Sequence, residues 1–163
     1  MMIRQAVPED AAGIAVVNDV VQKIHAEAYP EVFKNPTDPQ EVTTFFREKV
    51  QEKDNFVFVA YVGDQLIGYV WFAVEQRREN PFKFKREMVY IHQIAVSFNH
   101  RHKGIGRALM DKVEVFAREQ GIRNIALDSW SFNHGAHRFF EKVGIGPYNI
   151  KMEKILEYSN NGG

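Results

Sequence analysis

The sequence predicts one mixed α/β domain in which a mostly antiparallel sheet is flanked by about four helices. Runs of alternating apolar and polar residues, rich in Val, Ile, Phe and Tyr, alternate with segments whose apolar residues recur at helical spacing. A strand, a glycine turn, an amphipathic helix and a second strand succeed each other between residues 89 and 129, which implies parallel pairing of those two strands. The length of 163 residues fits one core, expected over residues 1–158, with 159–163 as a disordered tail.

Five elements are predicted in the first half of the chain. Asp10 can cap the first helix, and Gly63 with Asp64 favours a tight turn between two antiparallel strands. The charged segment Glu75–Glu87 is expected to be an exposed loop. The predicted elements are a strand at Ile3–Val7, a helix from Asp10 to about His25, a helix at Glu41–Gln51, and strands at Asn55–Val62 and Gln65–Val74.

The second half begins with the strand Val89–Val96, on which Tyr90, His92, Ile94 and Val96 are expected to share one face. The helix that follows has an apolar stripe, and a glycine ends it. The remaining predicted elements are a strand at Ile125–Ser129, a helix from Asn133 to the stop at Gly144, and a closing strand at Tyr148–Ile155.

The composition argues against several classes of function. Lys plus Arg equals Asp plus Glu at 21 each, so no overall charge favours nucleic acid or an anionic membrane. The absence of cysteine removes disulfides, a thiol nucleophile and cysteine-ligated zinc, and the six histidines lack an HExxH-like spacing, so no metal is expected. No apolar run approaches the roughly 20 residues of a membrane span, and a cytoplasmic protein is the expected default.

The turn before the central helix has the features of a phosphate site. A helix that begins at a glycine turn offers unpaired N–H groups and the positive end of its dipole, and both favour anions. Gly104 and Gly106 let a diphosphate approach the backbone, while Arg101 and Arg107 can bind phosphate bidentately. A P-loop and a dinucleotide fingerprint do not fit, because neither the Lys-Ser/Thr pair nor a third glycine follows.

The spacing from Arg101 to Gly106 resembles the acyl-CoA signature of the GNAT superfamily of N-acyltransferases, Arg/Gln-x-x-Gly-x-Gly/Ala. The last helix resembles the superfamily motif Asn-x-x-Ala-x-x-Phe-Tyr-x-x-x-Gly, although Phe140 replaces its tyrosine. The resemblance implies a GNAT-like fold whose sheet has about six to seven strands and is splayed between the strands at 88–96 and 125–129.

The resemblance also implies acetyl-CoA as the cofactor. The turn would hold its diphosphate, the splayed strand would pair with the pantetheine arm, and the amide of Val96 or its neighbour would face the thioester. The implied cofactor-binding residues are Ile94, Ala95, Val96, Arg101, His102, Lys103, Gly104, Ile105, Gly106, Arg107, Asn133 and Phe140.

His92 is the first candidate for the base that deprotonates the acceptor amine, because an ordinary histidine pKa of about 6.5 suits this task. Serotonin N-acetyltransferases, in the same superfamily, also carry histidine on this strand. Glu75 and Asp128 are alternative bases. Tyr90 or Tyr148 could protonate the leaving thiolate in place of the tyrosine that Phe140 replaces.

In the resembled superfamily the segment between the first two helices lines the acceptor pocket, which implies a role for His25, Tyr29 and Phe33. Glu75 and Asp128 would suit a cationic acceptor. The predicted function is transfer of an acetyl group to a primary amine of a small molecule, peptide or protein, by direct attack in a ternary complex. An acyl-CoA-binding sensor and a nucleotide-binding interaction domain are the alternatives. Monomers and homodimers both occur in the superfamily, so either state is expected.

Overall fold

A computed structural model describes residues 1–156 of the chain. Within these residues, five strands form one sheet in the order β1-β2-β3-β4-β5, and four α-helices lie on its two faces. The elements are β1 (Met2–Gln5), α1 (Ala11–Ala28), α2 (Pro39–Lys49), β2 (Asn55–Val62), β3 (Gln65–Arg77), β4 (Arg86–Val96), α3 (Ile105–Glu119), β5 (Ile125–Leu127) and α4 (His134–Lys142). The predicted mixed, mostly antiparallel sheet with about four helices is confirmed.

The sheet is an antiparallel meander with one parallel edge. Strands β1 to β4 pair antiparallel in succession, and β5 pairs parallel to β4. Helix α3 makes the crossover between β4 and β5, as the strand–helix–strand succession requires. The hairpin predicted around Gly63 and Asp64 is present as β2 and β3.

The two faces of the sheet carry separate halves of the core. On one face, α3 buries Leu109 and Val113 against Val70 and Ile91 of the sheet. The other face is covered by α1 and α2, whose buried side chains include Ile14, Val17 and Phe46. Each helix is amphipathic, so the free energy of burial holds both layers against the sheet.

The segment from Glu75 to Glu87 is a loop only over residues 78–85, so the predicted loop is too long by three residues at its start and two at its end. Strand β3 continues to Arg77 and β4 starts at Arg86, with Glu75 opposite Met88, and only residues 78–85 connect them. Charged residues are tolerated in these strand ends because the backbone N–H and C=O groups of β3 and β4 bond to each other while the charged side chains reach water.

The closing strand predicted at Tyr148–Ile155 is not formed. Residues 145–156, here called the C-terminal segment, contain neither helix nor strand, and every residue from 146 to 156 is exposed. Alternating apolar and polar residues make a segment suitable for a strand, but the segment also needs the free edge of another strand to pair with. The edge strand β5 has only three residues and therefore offers little backbone for pairing. The described part of the sheet therefore has five strands instead of six to seven. The predicted tail at 159–163 lies outside the described residues.

Candidate active site

A bulge in β4 decides which side chains share a face. Ile91 pairs with Phe72 and Gln93 with Trp71, so His92 is the extra residue. A bulge reverses the alternation that follows it. The expectation that four residues share one face is therefore wrong: Tyr90 and His92 lie near each other, with ring centroids 5.2 Å apart, whereas Ile94 and Val96 pack into the core beneath α3.

Beyond the bulge, β4 loses its parallel neighbour. The pairing of β4 with β5 ends at Ile91 and Leu127, while β4 runs on to Val96. The Ser97 N–H donates to the Ile67 carbonyl of β3 at 2.8 Å, so by antiparallel alternation the backbone groups of Ile94 and Val96 face away from β3. They face the gap that β5 leaves open, which is the expected divergence. Ala95, between them, is buried and directs its backbone to β3.

The glycine turn places the start of α3 beside this gap. Gly104 has a left-handed φ of 81° and is the N-cap of α3, without a side-chain cap. The first N–H groups of α3 therefore lack the intrahelical partners that later residues have. Ile105 is buried and anchors the turn in the core, and His102 also has a positive φ, of 62°. This geometry offers donors to an anion.

The basic side chains of the turn make local contacts. The Arg101 Nε donates to the Val96 carbonyl at 3.4 Å, and its guanidinium lies over the Phe98 ring at 5.7 Å. The Lys103 Nζ donates to the Asn99 carbonyl at 3.0 Å. These weak contacts leave both cations at the surface of the turn, where charge attracts an anion.

Gly106 and Arg107 join α3 to α4. A Cβ atom at Gly106 would lie 3.1 Å from Cε2 of Phe139, so glycine allows the two helices to meet. The Arg107 Nη1 donates to the Lys142 carbonyl at the end of α4 at 3.0 Å. Arg107, which the sequence assigns to phosphate, thus also braces α4.

Helix α4 starts as the sequence predicts. The Asn133 side chain accepts the Ala136 N–H at 3.1 Å and so acts as the N-cap. Phe140 packs against Phe139, with ring centroids 5.3 Å apart. Phe139, against which Phe140 packs, lies over Gly106 at the start of α3.

The candidate base His92 stacks on the indole of Trp71, which the sequence did not single out. The ring centroids are 4.3 Å apart and the planes are 27° from parallel. The pKa of His92 is lowered, mainly by burial of the ring. The negative charge of Glu75 raises this pKa and the positive charge of Lys49 lowers it further, but burial has the largest effect. The imidazole is therefore neutral at pH 7 and able to accept a proton.

Tyr90 and Asp128 form a second polar group beside His92. Burial is the main cause that raises the pKa of Tyr90, and the facing Asp128 carboxylate adds to it. Lys151 of the C-terminal segment contacts Asp128 and is the main cause that lowers the pKa of that carboxyl. Sequence reasoning missed Lys151, because only the folded chain brings residues 128 and 151 together.

The predicted acceptor-side residues are part of an aromatic wall, defined by His25, Tyr29, Phe33, Trp130 and Phe132. Tyr29 and Phe33 lie 4.8 and 5.2 Å from Trp130 between ring centroids, and His25 lies 5.6 Å from Phe132. The wall joins the end of α1 to the segment after β5. Trp130 and Phe132 carry no pattern in the sequence that would have predicted this contact.

A groove of about 300 Å³ lies between α1, α2 and β4. Its polar floor includes buried Asn18, whose Nδ2 donates to the Tyr69 hydroxyl at 2.7 Å and to Gln93 Oε1 at 3.1 Å. Phe45 forms a wall and packs on Trp71, 5.3 Å away, the residue that supports His92. The groove is lined by Asn18, Lys34, Thr37, Asp38, Glu41, Val42, Phe45, Phe46 and Gln93.

Within residues 1–156, no three His, Asp or Glu side chains converge as metal ligands would. None of the helices in this described part has the length and apolar character needed to cross a bilayer.

A mixed sheet that diverges beside a glycine turn and a helix start is the architecture of the N-acyltransferases that the sequence resembles. Residues 18–145 match the Acetyltransferase (GNAT) family, and the chain belongs to this family.

Curated proteins of similar sequence are also named as N-acetyltransferases. An uncharacterized N-acetyltransferase of Methanocaldococcus jannaschii is 30% identical over 101 residues, which cover 62% of this chain and 43% of the relative. N-acetyltransferase family 8 member 2 of Rattus norvegicus is 30% identical over 102 residues, 61% of this chain and 43% of the relative. The chain thus matches less than half the length of these curated relatives.

Solved structures show the same fold. A tetramutant of the BH1408 protein from Bacillus halodurans superposes with a TM-score of 0.88 at 25% identity, covering 96% of this chain and 100% of the other. An aminoglycoside 6'-N-acetyltransferase from Acinetobacter haemolyticus superposes with a TM-score of 0.71 at 17% identity, covering 99% of both chains. The second likeness concerns the fold alone.

Proposed function

We propose that the protein transfers an acetyl group from acetyl-CoA to a primary amine, by direct attack in a ternary complex. The observation that carries the proposal is the position of His92, next to the point where β4 and β5 diverge. A neutral imidazole and free backbone N–H groups then lie on neighbouring residues of one strand, which suits acyl transfer.

The acyl donor fits the residues beside the gap. The first N–H groups of α3, with Gly104 and Arg101, would bind the diphosphate. The backbone of Ile94 and Val96 would pair with the pantetheine arm, because these groups face the gap. When bound, acetyl-CoA supplies a thioester whose carbonyl carbon accepts the amine.

His92 would remove the proton that blocks attack. An alkylammonium has a pKa of about 10.4 and is not nucleophilic until it loses a proton. The lowered pKa of His92 keeps its imidazole unprotonated at pH 7. It accepts the proton directly or through water.

The negative charge on the thioester oxygen needs a donor that is already in place. The Val96 N–H faces the gap, and we assign it to the oxygen, a contribution of about 10² to 10³ in rate.

The leaving thiolate has an ordinary thiol pKa near 8.5 and departs without strong assistance. Tyr90 is the proposed acid, because its hydroxyl is protonated at pH 7 and its ring lies 5.2 Å from that of His92, between centroids, beside the point where β4 and β5 diverge. The raised pKa of Tyr90 makes it a weaker acid than an ordinary tyrosine. Phe140 replaces the tyrosine of the family motif and lacks a proton to donate.

The groove between α1 and α2 is the proposed acceptor site. Phe45 of the groove packs on Trp71, which in turn stacks on His92. Lys34 of the groove directly follows Phe33 of the aromatic wall. Glu75 and Asp128 favour a cationic amine. The acceptor class is a primary amine of a small molecule, peptide or protein.

The test is release of free CoA from acetyl-CoA across a panel of primary amines, with calorimetry of CoA, ATP and NAD in parallel. We expect CoA binding and acetylation of at least one cationic amine. Tight CoA binding with every amine left unmodified would instead support the acyl-CoA sensor, which Phe140 favours. Binding of ATP or NAD in preference to CoA would contradict both readings.

A further inference from the structure

The C-terminal segment brings a primary amine to the candidate active site. The Lys151 Nζ contacts the Asp128 carboxylate, and Arg86 lies over the ring of Tyr148, 5.6 Å from its centroid. Ile150 and Met152, on either side of the lysine, are 79% and 91% exposed, so the segment buries little apolar area there. Few contacts therefore hold it in place.

Lys151 lies near the point where the strands diverge. Asp128 follows β5 directly, and Tyr90 pairs with Ala126, one position before the last pair of Ile91 with Leu127. The Lys151 ammonium contacts Asp128, and the Asp128 carboxylate in turn faces Tyr90, which lies on the same strand as His92. A cationic acceptor attracted by Asp128 would occupy the same place.

We infer that Lys151 is an internal acceptor, which the protein acetylates on itself. This inference rests on the proposed function. The contact with Asp128 is exposed on both sides, with 78% and 56% of the two side chains accessible. An ion pair of this kind contributes about 0 to 1 kcal/mol, so the amine leaves Asp128 at little cost. The flexible four-carbon stem then lets it move toward the gap.

The reaction balances with the groups present. Lys151 loses one proton to His92, directly or through water, and its nitrogen attacks the thioester carbonyl carbon. An N–C bond forms, the C–S bond breaks, and the leaving thiolate takes up the second proton, which the nitrogen releases as the amide forms. The product amide carries no charge, so the ion pair with Asp128 is lost and the carboxylate becomes free for a cationic acceptor.

Other lysines provide controls. Lys154 belongs to the same exposed segment and makes no ion pair within the described residues. Lys49 influences His92, but its Nζ is bound by both oxygens of Glu52 at 2.7 and 2.8 Å. Lys154 therefore tests whether any lysine of the C-terminal segment is acetylated, and Lys49 tests whether any lysine near His92 is acetylated.

The experiment incubates the purified chain with isotope-labelled acetyl-CoA and no amine, followed by intact mass measurement and peptide mapping. We expect one labelled acetyl group at Lys151, formed with a rate constant that does not depend on protein concentration. Lys151→Arg should abolish the label and Lys154→Arg should retain it, while His92→Gln should slow labelling. Equal label on Lys154, unchanged labelling in His92→Gln, or a rate that rises with protein concentration would overturn the inference.

A parallel assay with an external amine separates this inference from the proposed function. Turnover of that amine with Lys151 unlabelled would overturn self-acetylation alone, whereas neither turnover nor label would overturn both. Lys151→Gln, which is neutral like the acetylated side chain, should increase kcat/KM for a cationic amine relative to Lys151→Arg. Equal values in the two variants would contradict the release of Asp128.

Discussion

The imidazole of His92 lies over the indole of Trp71, with ring centroids 4.3 Å apart. The two side chains come from neighbouring strands, and the β4 bulge makes the contact possible because it leaves His92 without a paired residue opposite. Stacking covers one face of the imidazole, and the ring of Tyr90 lies edge-on 5.2 Å away between centroids. The contact therefore ties the protonation of the candidate base to the packing of the sheet.

The first prediction concerns His92→Gln. We expect a decrease in kcat/KM of about 10² to 10⁴, because the acceptor ammonium loses its positioned base. In the unaltered protein, kcat/KM should fall only as the pH drops below the lowered pKa of His92, and the variant should lack this acidic limb. Calorimetry should show the same CoA affinity in both proteins. An unaltered pH profile would show that another group is the base.

The second prediction tests the stacking contact itself. In Trp71→Leu, water reaches both faces of the imidazole, so the pKa of His92 should rise toward about 6.5. The acidic limb of kcat/KM should move to higher pH. An NMR titration of the His92 ring measures the change. Trp130→Leu, in the aromatic wall, is the matched control and should leave the His92 titration in place; equal shifts in both variants would contradict a local effect.

The third prediction concerns the contact of α3 with α4. Gly106→Ala places a Cβ atom 3.1 Å from the Phe139 ring, so the ring has to shift by a few tenths of an ångström, and we expect a cost of about 1 to 3 kcal/mol in the free energy of unfolding. Urea denaturation measures this cost, and CoA affinity should fall too. Gly135→Ala is the control, because its nearest neighbour is 3.8 Å away. Phe139→Leu should partly restore the Gly106→Ala protein; no restoration would place the strain elsewhere.

The fourth prediction restores the family's tyrosine. Phe140→Tyr returns a hydroxyl to the α4 position where the family motif has its tyrosine, and we expect a higher kcat with an unaltered KM, because a proton donor assists only the departing thiolate. Steady-state kinetics with one amine provides the measurement. Phe139→Tyr, on the neighbouring residue, should give no gain. If kcat does not change in Phe140→Tyr, thiolate protonation either is not limiting or occurs through another residue.

The fifth prediction concerns stability and pH. Buried Asp10 accepts hydrogen bonds from Arg4 at 2.6 and 2.8 Å, from the Tyr61 hydroxyl at 2.6 Å and from the Val7 N–H at 2.8 Å. Burial is the largest influence and raises the pKa of Asp10, but these hydrogen bonds outweigh it and lower the pKa.

A lowered carboxyl pKa contributes stability that is fully present above the unfolded value of about 3.9 and is lost as the pH falls through the folded value. Asp10→Asn should therefore destabilise the protein at neutral pH, by roughly 1.5 to 3 kcal/mol for each charged hydrogen bond lost, and less below pH 4. Urea midpoints across this range provide the measurement. Asp111→Asn, on the exposed face of α3, should leave them nearly constant. An equal loss at every pH would contradict the assignment.

Local patterns in the sequence were sufficient for the helices, the hairpin of β2 and β3, the N-cap at Asn133 and the glycine turn before α3. Each of these depends on residues that are close along the chain, through periodicity, capping or a positive φ. The family resemblance, which rests on the same turn and on α4, also predicted that β4 and β5 diverge.

Only the tertiary structure decided which side chains meet. The β4 bulge, which separates Tyr90 and His92 from Ile94 and Val96, depends on register with β3, and a shift of one residue reverses every face that follows. Trp71, Trp130 and Lys151 reach the candidate site from distant parts of the chain, where no local pattern marks them. The sequence by itself determined the elements and the anion-binding turn, because both arise from neighbouring residues. The surroundings of His92 were decided by pairing between strands, which no short stretch of sequence contains.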